Sequence, residues 1–122
     1  MSIQTKDNLK DAAKRWIDLL SEPNCRVPDY QRYIPGALKT GGWTLEDIGS
    51  SEEKLAELAR LAYKNSAKYE LGLLSKLDCK LPNIAISIKD SLKKGGWTLE
   101  DIDSSEEKLA ELVRLAYKNK HR

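Results

Sequence analysis

Apolar residues recur with a helical period along most of this chain. Near the N-terminus they follow the spacing i, i+3, i+4, i+7, i+8 and i+11, at Leu9, Ala12, Ala13, Trp16, Ile17 and Leu20. This spacing places them on one face and predicts an amphipathic helix from about Lys6 to Ser21. No segment alternates strictly between apolar and polar residues, as a half-buried strand would, so we expect an all-α fold.

A second apolar stripe occurs at two places in the chain. It is formed first by Val27, Tyr30, Ile34 and Leu38, and again by Leu81, Ile84, Ala85, Ile88 and Leu92. Each predicted helix begins at a proline, Pro28 or Pro82, because the first helical position needs no N–H. Pro35 is expected to break or kink the first of these helices. Glycine pairs at 41–42 and 95–96 are expected to end both.

A short helix is predicted after each glycine pair. Trp43 precedes Thr44, a good N-cap, and Ile48 follows four residues past the cap, which is the spacing of a hydrophobic staple. The same three residue types recur at Trp97, Thr98 and Ile102. The staple accounts for both tryptophans as structural residues.

A longer helix is predicted to follow at once. Capping boxes are expected at its start, formed by Ser50 with Glu53 and by Ser104 with Glu107. Its buried stripe in the first copy consists of Leu55, Leu58, Ala59 and Ala62.

The sequence contains an internal duplication with a period of 54 residues. The segment GGWTLEDIGSSEEKLAELARLAYKN (41–65) recurs as GGWTLEDIDSSEEKLAELVRLAYKN (95–119), and 23 of its 25 positions are identical. Upstream, 10 of the 29 positions from 12 to 40 match the residue 54 positions later. We therefore expect two tandem helical repeats, 1–65 and 66–122, packed together as one cooperative domain.

The join between the repeats predicts a shared helix. No Gly or Pro separates the end of the first repeat from the start of the second, so one helix from about 51 to 76 is the simplest interpretation. Its apolar stripe at 63, 67, 71 and 74 is rotated by roughly 110° from the stripe at 55, 58, 59 and 62. The alternative is two helices, with a cap at Asn65 or Ser66.

Charge is nearly balanced along the chain. Residues 12–65 hold eight basic and eight acidic side chains, residues 66–119 hold nine of each, and the net charge of +2 comes from Lys120 and Arg122. Nucleic-acid binding, which usually needs a concentration of basic residues, is therefore not favoured. With no transmembrane stretch and no signal-peptide pattern, we expect a cytoplasmic protein that does not bind membranes.

Catalytic chemistry has little support in the sequence. The single histidine, His121, stands next to the last residue, and the acidic pairs Glu46-Asp47 and Glu100-Asp101 are where a helix start favours carboxylates. No phosphate-binding, metalloprotease or nucleophile-elbow motif occurs. Cys25 and Cys79 are interpreted as equivalent buried thiols. We expect no enzyme activity, no cofactor and no metal site.

The segment GGWTLEDI, 41–48, resembles the Gly-aromatic-Ser/Thr-Leu-Glu-Glu-Ile stretch of mercury-resistance-type transcription regulators. The likeness covers about seven residues and reduces to a staple and a cap. The rest of that family's winged helix does not occur in the sequence, so no family is assigned.

The sequence favours a non-enzymatic protein-interaction module with two quasi-equivalent helical faces; the alternative is a regulator-like, nucleic-acid-binding helical protein. The predicted partner-binding face consists of Glu53, Glu57, Arg60 and Lys64, repeated as Glu107, Glu111, Arg114 and Lys118. A second candidate surface is Tyr30, Arg32 and Tyr33, because Tyr and Arg are enriched at interfaces. Function, recent copying and engineering each explain the near-identical segments. The partner's identity and the oligomeric state stay open.

Overall fold

The protein is described by a computed structural model that covers residues 2–22, 25 and 29–121, with side chains from Asn8 onward. The predictions made for Val27 and Pro28 lie outside the described residues. Five α-helices occur in the described chain: α1 (Ser2–Leu20), α2 (Tyr30–Gly41), α3 (Glu52–Leu74), α4 (Ile84–Gly95) and α5 (Glu106–Lys120). Two 3₁₀ turns, Glu46–Ile48 and Leu99–Ile102, precede α3 and α5. These residues include no strand, so the all-α prediction is confirmed.

The chain divides into two compact units, residues 1–62 (unit 1) and 63–122 (unit 2). Throughout, the counterpart of a residue is the one 54 positions earlier or later. The unit 1 core contains Ala13, Leu20, Cys25, Ile34, Leu38, Leu55, Ala59 and Ala62. The unit 2 core contains Ala67, Leu71, Leu74, Cys79, Ile88, Leu92, Ile102, Leu109 and Ala116. Seven of the eight residues in the first core have their counterparts in the second, so the same sequence positions fill both cores.

The helix ends differ from the predicted ones in several places. The first helix begins at Ser2 rather than near Lys6. Helix α4 begins at Ile84, two residues after Pro82, and Leu81 is 63% exposed instead of lying on the buried stripe. Leu81 precedes the helix, so its side chain is outside the helical register that buries Ile88.

Helix α2 continues through Pro35, so of the two outcomes predicted from the sequence, a break or a kink, the break does not occur. Pro35 lies inside the helix and is exposed. A proline here removes only the hydrogen bond to the Gln31 carbonyl, near the start of the helix, and the ring projects into solvent. The helix then ends where predicted: Gly42 adopts φ 77°, and the Trp43 N–H donates to the Leu38 carbonyl at 2.8 Å.

The serine caps lie one residue later than predicted. Ser51 Oγ accepts from the Lys54 N–H at 3.2 Å, and Ser105 Oγ accepts from the Lys108 N–H at 3.1 Å. Ser50 and Ser104 are buried instead, and their N–H groups donate to Leu45 and Leu99 to close the preceding turns. Within the described chain no helix is long and apolar enough to cross a membrane.

Candidate protein-binding surfaces

The duplicated charged face is the set of eight charged residues that the sequence predicts as a partner-binding surface. Seven of the eight are exposed: Glu53, Glu57, Arg60, Glu107, Glu111, Arg114 and Lys118. The face is therefore accessible in both α3 and α5. Lys64, the eighth residue, is only half exposed.

Lys64 lies over an aromatic ring, a contact that its counterpart Lys118 does not make with any described residue. The Lys64 ammonium lies 4.6 Å from the centroid of the Trp97 ring. Its other counterpart, Lys10, lies over the Trp43 ring at 4.4 Å. A cation over an indole at this distance contributes roughly 0.5–1 kcal/mol at an exposed site. Lys64 therefore contacts an aromatic ring of unit 2, and its equivalence with Lys118 in partner binding stays a prediction.

A cleft forms beside the first turn of α5 in unit 2, and a related one beside the first turn of α3 in unit 1; we call each the helix-start cleft. In unit 2 it measures about 540 Å³ and is lined by Lys89, Leu92, Lys93, Trp97, Thr98, Leu99, Glu100, Ser105 and Glu106. In unit 1 a cleft of about 390 Å³ is lined by Thr44, Leu45, Glu46, Ser51 and Glu52. All five are identical to their counterparts in the unit 2 cleft. This cleft was not predicted: Thr44 and Glu46 were assigned to a helix start, and no role was predicted for Leu45, Ser51 or Glu52.

One edge of the helix-start cleft differs between the units. In unit 2, Lys89 Nζ forms a salt bridge with Glu106 at 3.1 Å across the cleft edge. The counterparts are Pro35 and Glu52, and a proline cannot form that pair. In unit 1 these two residues and Arg32 line an adjoining cleft of about 430 Å³. The two clefts therefore share several lining residues and differ in charge at one side.

A reciprocal capping box fixes the 3₁₀ turn that lines each cleft. In unit 1 the Thr44 N–H donates to Asp47 Oδ2 at 2.8 Å, and the Asp47 N–H donates to Thr44 Oγ1 at 3.3 Å. The hydrogen bonds from the Thr44 backbone and side chain, with a contribution from Lys10, hold the pKa of Asp47 below its ordinary value. Thr98 and Asp101 form the same box in unit 2. The aspartate of each acidic pair is therefore a capping residue.

The second candidate surface belongs to an aromatic cluster, defined by Trp16, Tyr30 and Tyr33. The Trp16 and Tyr33 ring centroids are 5.8 Å apart, and those of Tyr30 and Tyr33 are 6.5 Å apart in an edge-on arrangement. Tyr33 is 50% exposed, and Arg32 is exposed beside it in sequence. The helical period predicts Trp16 only as part of the buried stripe of α1, so its contact with Tyr33 was not predicted.

The aromatic cluster has a polar counterpart in unit 2. Glu70 and Ser87 stand where unit 1 has Trp16 and Tyr33. Ser66 Oγ donates to Glu70 Oε1 at 3.4 Å. Partial burial raises the pKa of Glu70, and hydrogen bonds from Ser66 and Ser87 oppose that rise. These two positions are therefore aromatic in unit 1 and polar in unit 2.

Few groups with catalytic or metal-binding chemistry come together. Among the described residues, no group of three His, Cys, Asp or Glu side chains is arranged to hold a metal ion. Cys25 and Cys79 are buried and form no disulfide. His121 is the C-cap residue of α5.

No protein-family model matches the chain, and comparisons with curated proteins and with solved structures find no significant match.

Proposed function

We propose that the protein is a non-enzymatic protein-interaction module with one quasi-equivalent binding face on each unit. The observation that carries this proposal is that residues of the duplicated charged face are both identical and exposed, Lys64 apart. Exposed ion pairs contribute only about 0.2–1 kcal/mol each to stability. Lys64 apart, the fold alone therefore gives little reason to keep the other three charged positions in two copies.

The helix-start cleft supports the same function. It combines a half-buried leucine, Leu45 or Leu99, with exposed glutamates at its edge. An apolar centre with a polar rim is typical of sites that accept a side chain or a short peptide from a partner. A partner with two copies of the recognised feature would gain avidity by engaging both units.

We also propose that α3 serves both units and that the chain unfolds as one cooperative domain. In α3, Leu55, Ala59 and Ala62 pack in the unit 1 core, whereas Leu71 and Leu74 pack in the unit 2 core. A chain that ends at Asn65 is then expected to unfold or self-associate, because about half of the helix is lost. A monomeric fragment that melts cooperatively near the temperature of the parent would contradict this.

Charge reversal tests the binding function. Glu57→Lys and Glu111→Lys are made singly and together, and partner capture from lysate is measured beside the melting temperature. We expect unchanged melting, a partial loss of capture in each single variant and a severe loss in the double variant. Glu22→Lys, at an exposed glutamate outside the face, is the matched control.

Two results would count against the proposal. If the double variant captures the same partners as the parent, the duplicated charged face is a solvated surface and not an interface. If the chain shifts the mobility of nucleic acid with a steep dependence on salt, phosphate contacts dominate and the nucleic-acid interpretation replaces this one.

A further inference from the structure

Unit 2 contains a second cleft, which we call the leucine cleft, between the end of α3 and the later turns of α5. It measures about 340 Å³ and is lined by Leu74, Ser75, Lys76, Leu77, Leu112, Leu115, Ala116, Lys118 and Asn119. Leu77 is 94% exposed and Leu115 is 50% exposed. Burying such apolar surface against a partner is favourable in proportion to the area removed from water. Binding of a partner that buries the leucine cleft would therefore be favourable.

Leu77 is exposed on a turn that is tied to α5. Asn119 Nδ2 donates to the Leu77 carbonyl at 2.6 Å, across 42 residues of sequence. The Cys79 N–H donates to the Lys76 carbonyl at 3.1 Å and closes the turn itself. These bonds hold the backbone beside α5, so the exposure of the leucine belongs to a defined conformation.

The charge of the leucine cleft indicates what would cover it. Lys76 and Lys118 line it, and no carboxylate is among its lining residues. In the part of the chain that the structure describes, neither lysine forms an ion pair. An occupant with a negative charge beside an apolar side chain would complement both features.

Unit 1 does not reproduce these features. The counterpart of Lys76 is Glu22, which reverses the charge. The counterpart of Lys118 is Lys64, whose ammonium lies over the Trp97 ring. The two free cations therefore distinguish the leucine cleft of unit 2.

We propose that the leucine cleft binds an acidic–apolar peptide segment of a partner protein. A large apolar side chain of the segment packs between Leu77 and Leu115, and a neighbouring Asp or Glu pairs with Lys76 and Lys118. This site is separate from the duplicated charged face, with which it shares only Lys118. Either proposal can fail without the other, because Lys76 and Leu77 lie outside that face and Glu111 does not line the cleft.

The test begins with a random peptide library displayed on phage and selected on the whole chain. We expect the enriched peptides to carry a large apolar residue next to Asp or Glu. The most enriched peptide is then synthesised with a fluorescent label, and its affinity is measured by polarisation at low and high salt. Salt should weaken binding, because the contacts with the lysines are solvent-exposed.

Variants of the cleft then locate the binding site. Lys76→Glu and Lys118→Glu should each weaken binding by about two- to fivefold, and the double variant by about tenfold. Leu77→Ser should weaken it as well. Because Leu77 is exposed, the substitution should leave the fold intact, which circular dichroism would check. Lys80→Glu reverses an exposed lysine of the same loop outside the cleft and is the control.

Several results would overturn the proposal. Enriched peptides without an acidic residue would do so, as would equal binding to the parent and to the Lys76→Glu/Lys118→Glu variant. A concentration-dependent dimer that the double variant abolishes would also replace it, because a second copy of the chain would then be the occupant.

Discussion

Lys64 Nζ lies 4.6 Å from the centroid of the Trp97 ring, within the range of a cation–π contact. The same ring also lies against Gly95, where a Cβ would come within 2.6 Å of Trp97 Cδ1. In unit 1, Lys10 and Gly41 surround Trp43 in the same way. Each tryptophan ring thus contacts a lysine ammonium and lies close against a glycine.

Removing the charge of Lys64 should destabilise the protein more than removing that of Lys118. Lys64→Met keeps the length of the side chain but loses the contact with Trp97, so we expect a loss of about 0.5–1 kcal/mol in the free energy of unfolding. Lys118→Met is the matched control and should change it by less than about 0.5 kcal/mol. Urea denaturation measures both. Equal effects of the two substitutions would show that the ring contact adds nothing.

Gly95→Ala should lower the stability by about 1–3 kcal/mol, because the added methyl overpacks the tryptophan site. Besides Trp97, the new Cβ would meet Tyr63 Cβ at 2.9 Å. Gly41→Ala should cost less, since there the second neighbour, Leu9 Cβ, lies at 3.5 Å.

The control for the glycine series is Gly72→Ala in α3. A Cβ at Gly72 would meet nothing within 4 Å, so this variant should gain about 0.5–1 kcal/mol from helix propensity. Thermal melting of the three variants gives the order. A Gly95→Ala protein as stable as the parent would mean that the Trp97 ring can move aside without cost.

Asp103→Gly should stabilise the protein by up to about 1 kcal/mol. Asp103 adopts φ 58°, a left-handed conformation that costs a residue with a Cβ, whereas its counterpart Gly49 adopts φ 72°. The reverse substitution, Gly49→Asp, should be destabilising. Chemical denaturation measures the change in the free energy of unfolding for both variants, and the two changes must have opposite signs. A destabilised Asp103→Gly protein would indicate that the aspartate side chain contributes more than the backbone conformation costs.

Glu70→Gln should stabilise the protein at neutral pH. The pKa of Glu70 is raised above 4.5, chiefly by burial, so the folded state binds the proton more tightly than the unfolded state. Ionisation of this group therefore reduces stability as the pH rises through the raised pKa. The advantage of Glu70→Gln should shrink as the pH falls towards 4.5 and below. Denaturation at several pH values measures the difference, and a constant difference would contradict the prediction.

Asp47→Asn should have the opposite effect on stability from Glu70→Gln. The pKa of Asp47 is lowered from 3.8, first by hydrogen bonds from Thr44, so ionised Asp47 stabilises the folded state above that pH. The variant should be less stable than the parent at pH 7. The gap should close as the pH falls below 3.8, through the lowered pKa.

The sequence was sufficient for the parts of the fold that depend on helical period. Ile34 and Leu38 of the predicted stripe are buried as expected, and the glycine stop at Gly42 is in place. Local detail was less predictable. Ser50 and Ser51 are both good caps by residue type. Ser50 closes the preceding turn through its N–H, so Ser51 caps the helix, and no local sequence pattern distinguishes the two.

The candidate sites were predictable only in part. Exposure of the duplicated charged face follows from its position opposite the apolar stripe. The contact of Lys64 with Trp97 joins residues far apart in sequence, and the tilted contact of the Trp16 and Tyr33 rings depends on how α1 meets α2. The exposure of Leu77 was also not predictable, because an apolar residue type alone does not show whether neighbouring residues bury it.

The contacts around Trp97, which we call the tryptophan site, involve a Tyr-Lys pair that occurs again near the end of the last helix. Tyr63 lies beside Gly95, and Lys64 lies over the Trp97 ring. The same Tyr-Lys pair occurs again at Tyr117 and Lys118 near the end of α5, where Tyr117 is 47% exposed. A further copy of residues 66–119, joined after Asn119, would find the first half of its own tryptophan site already built.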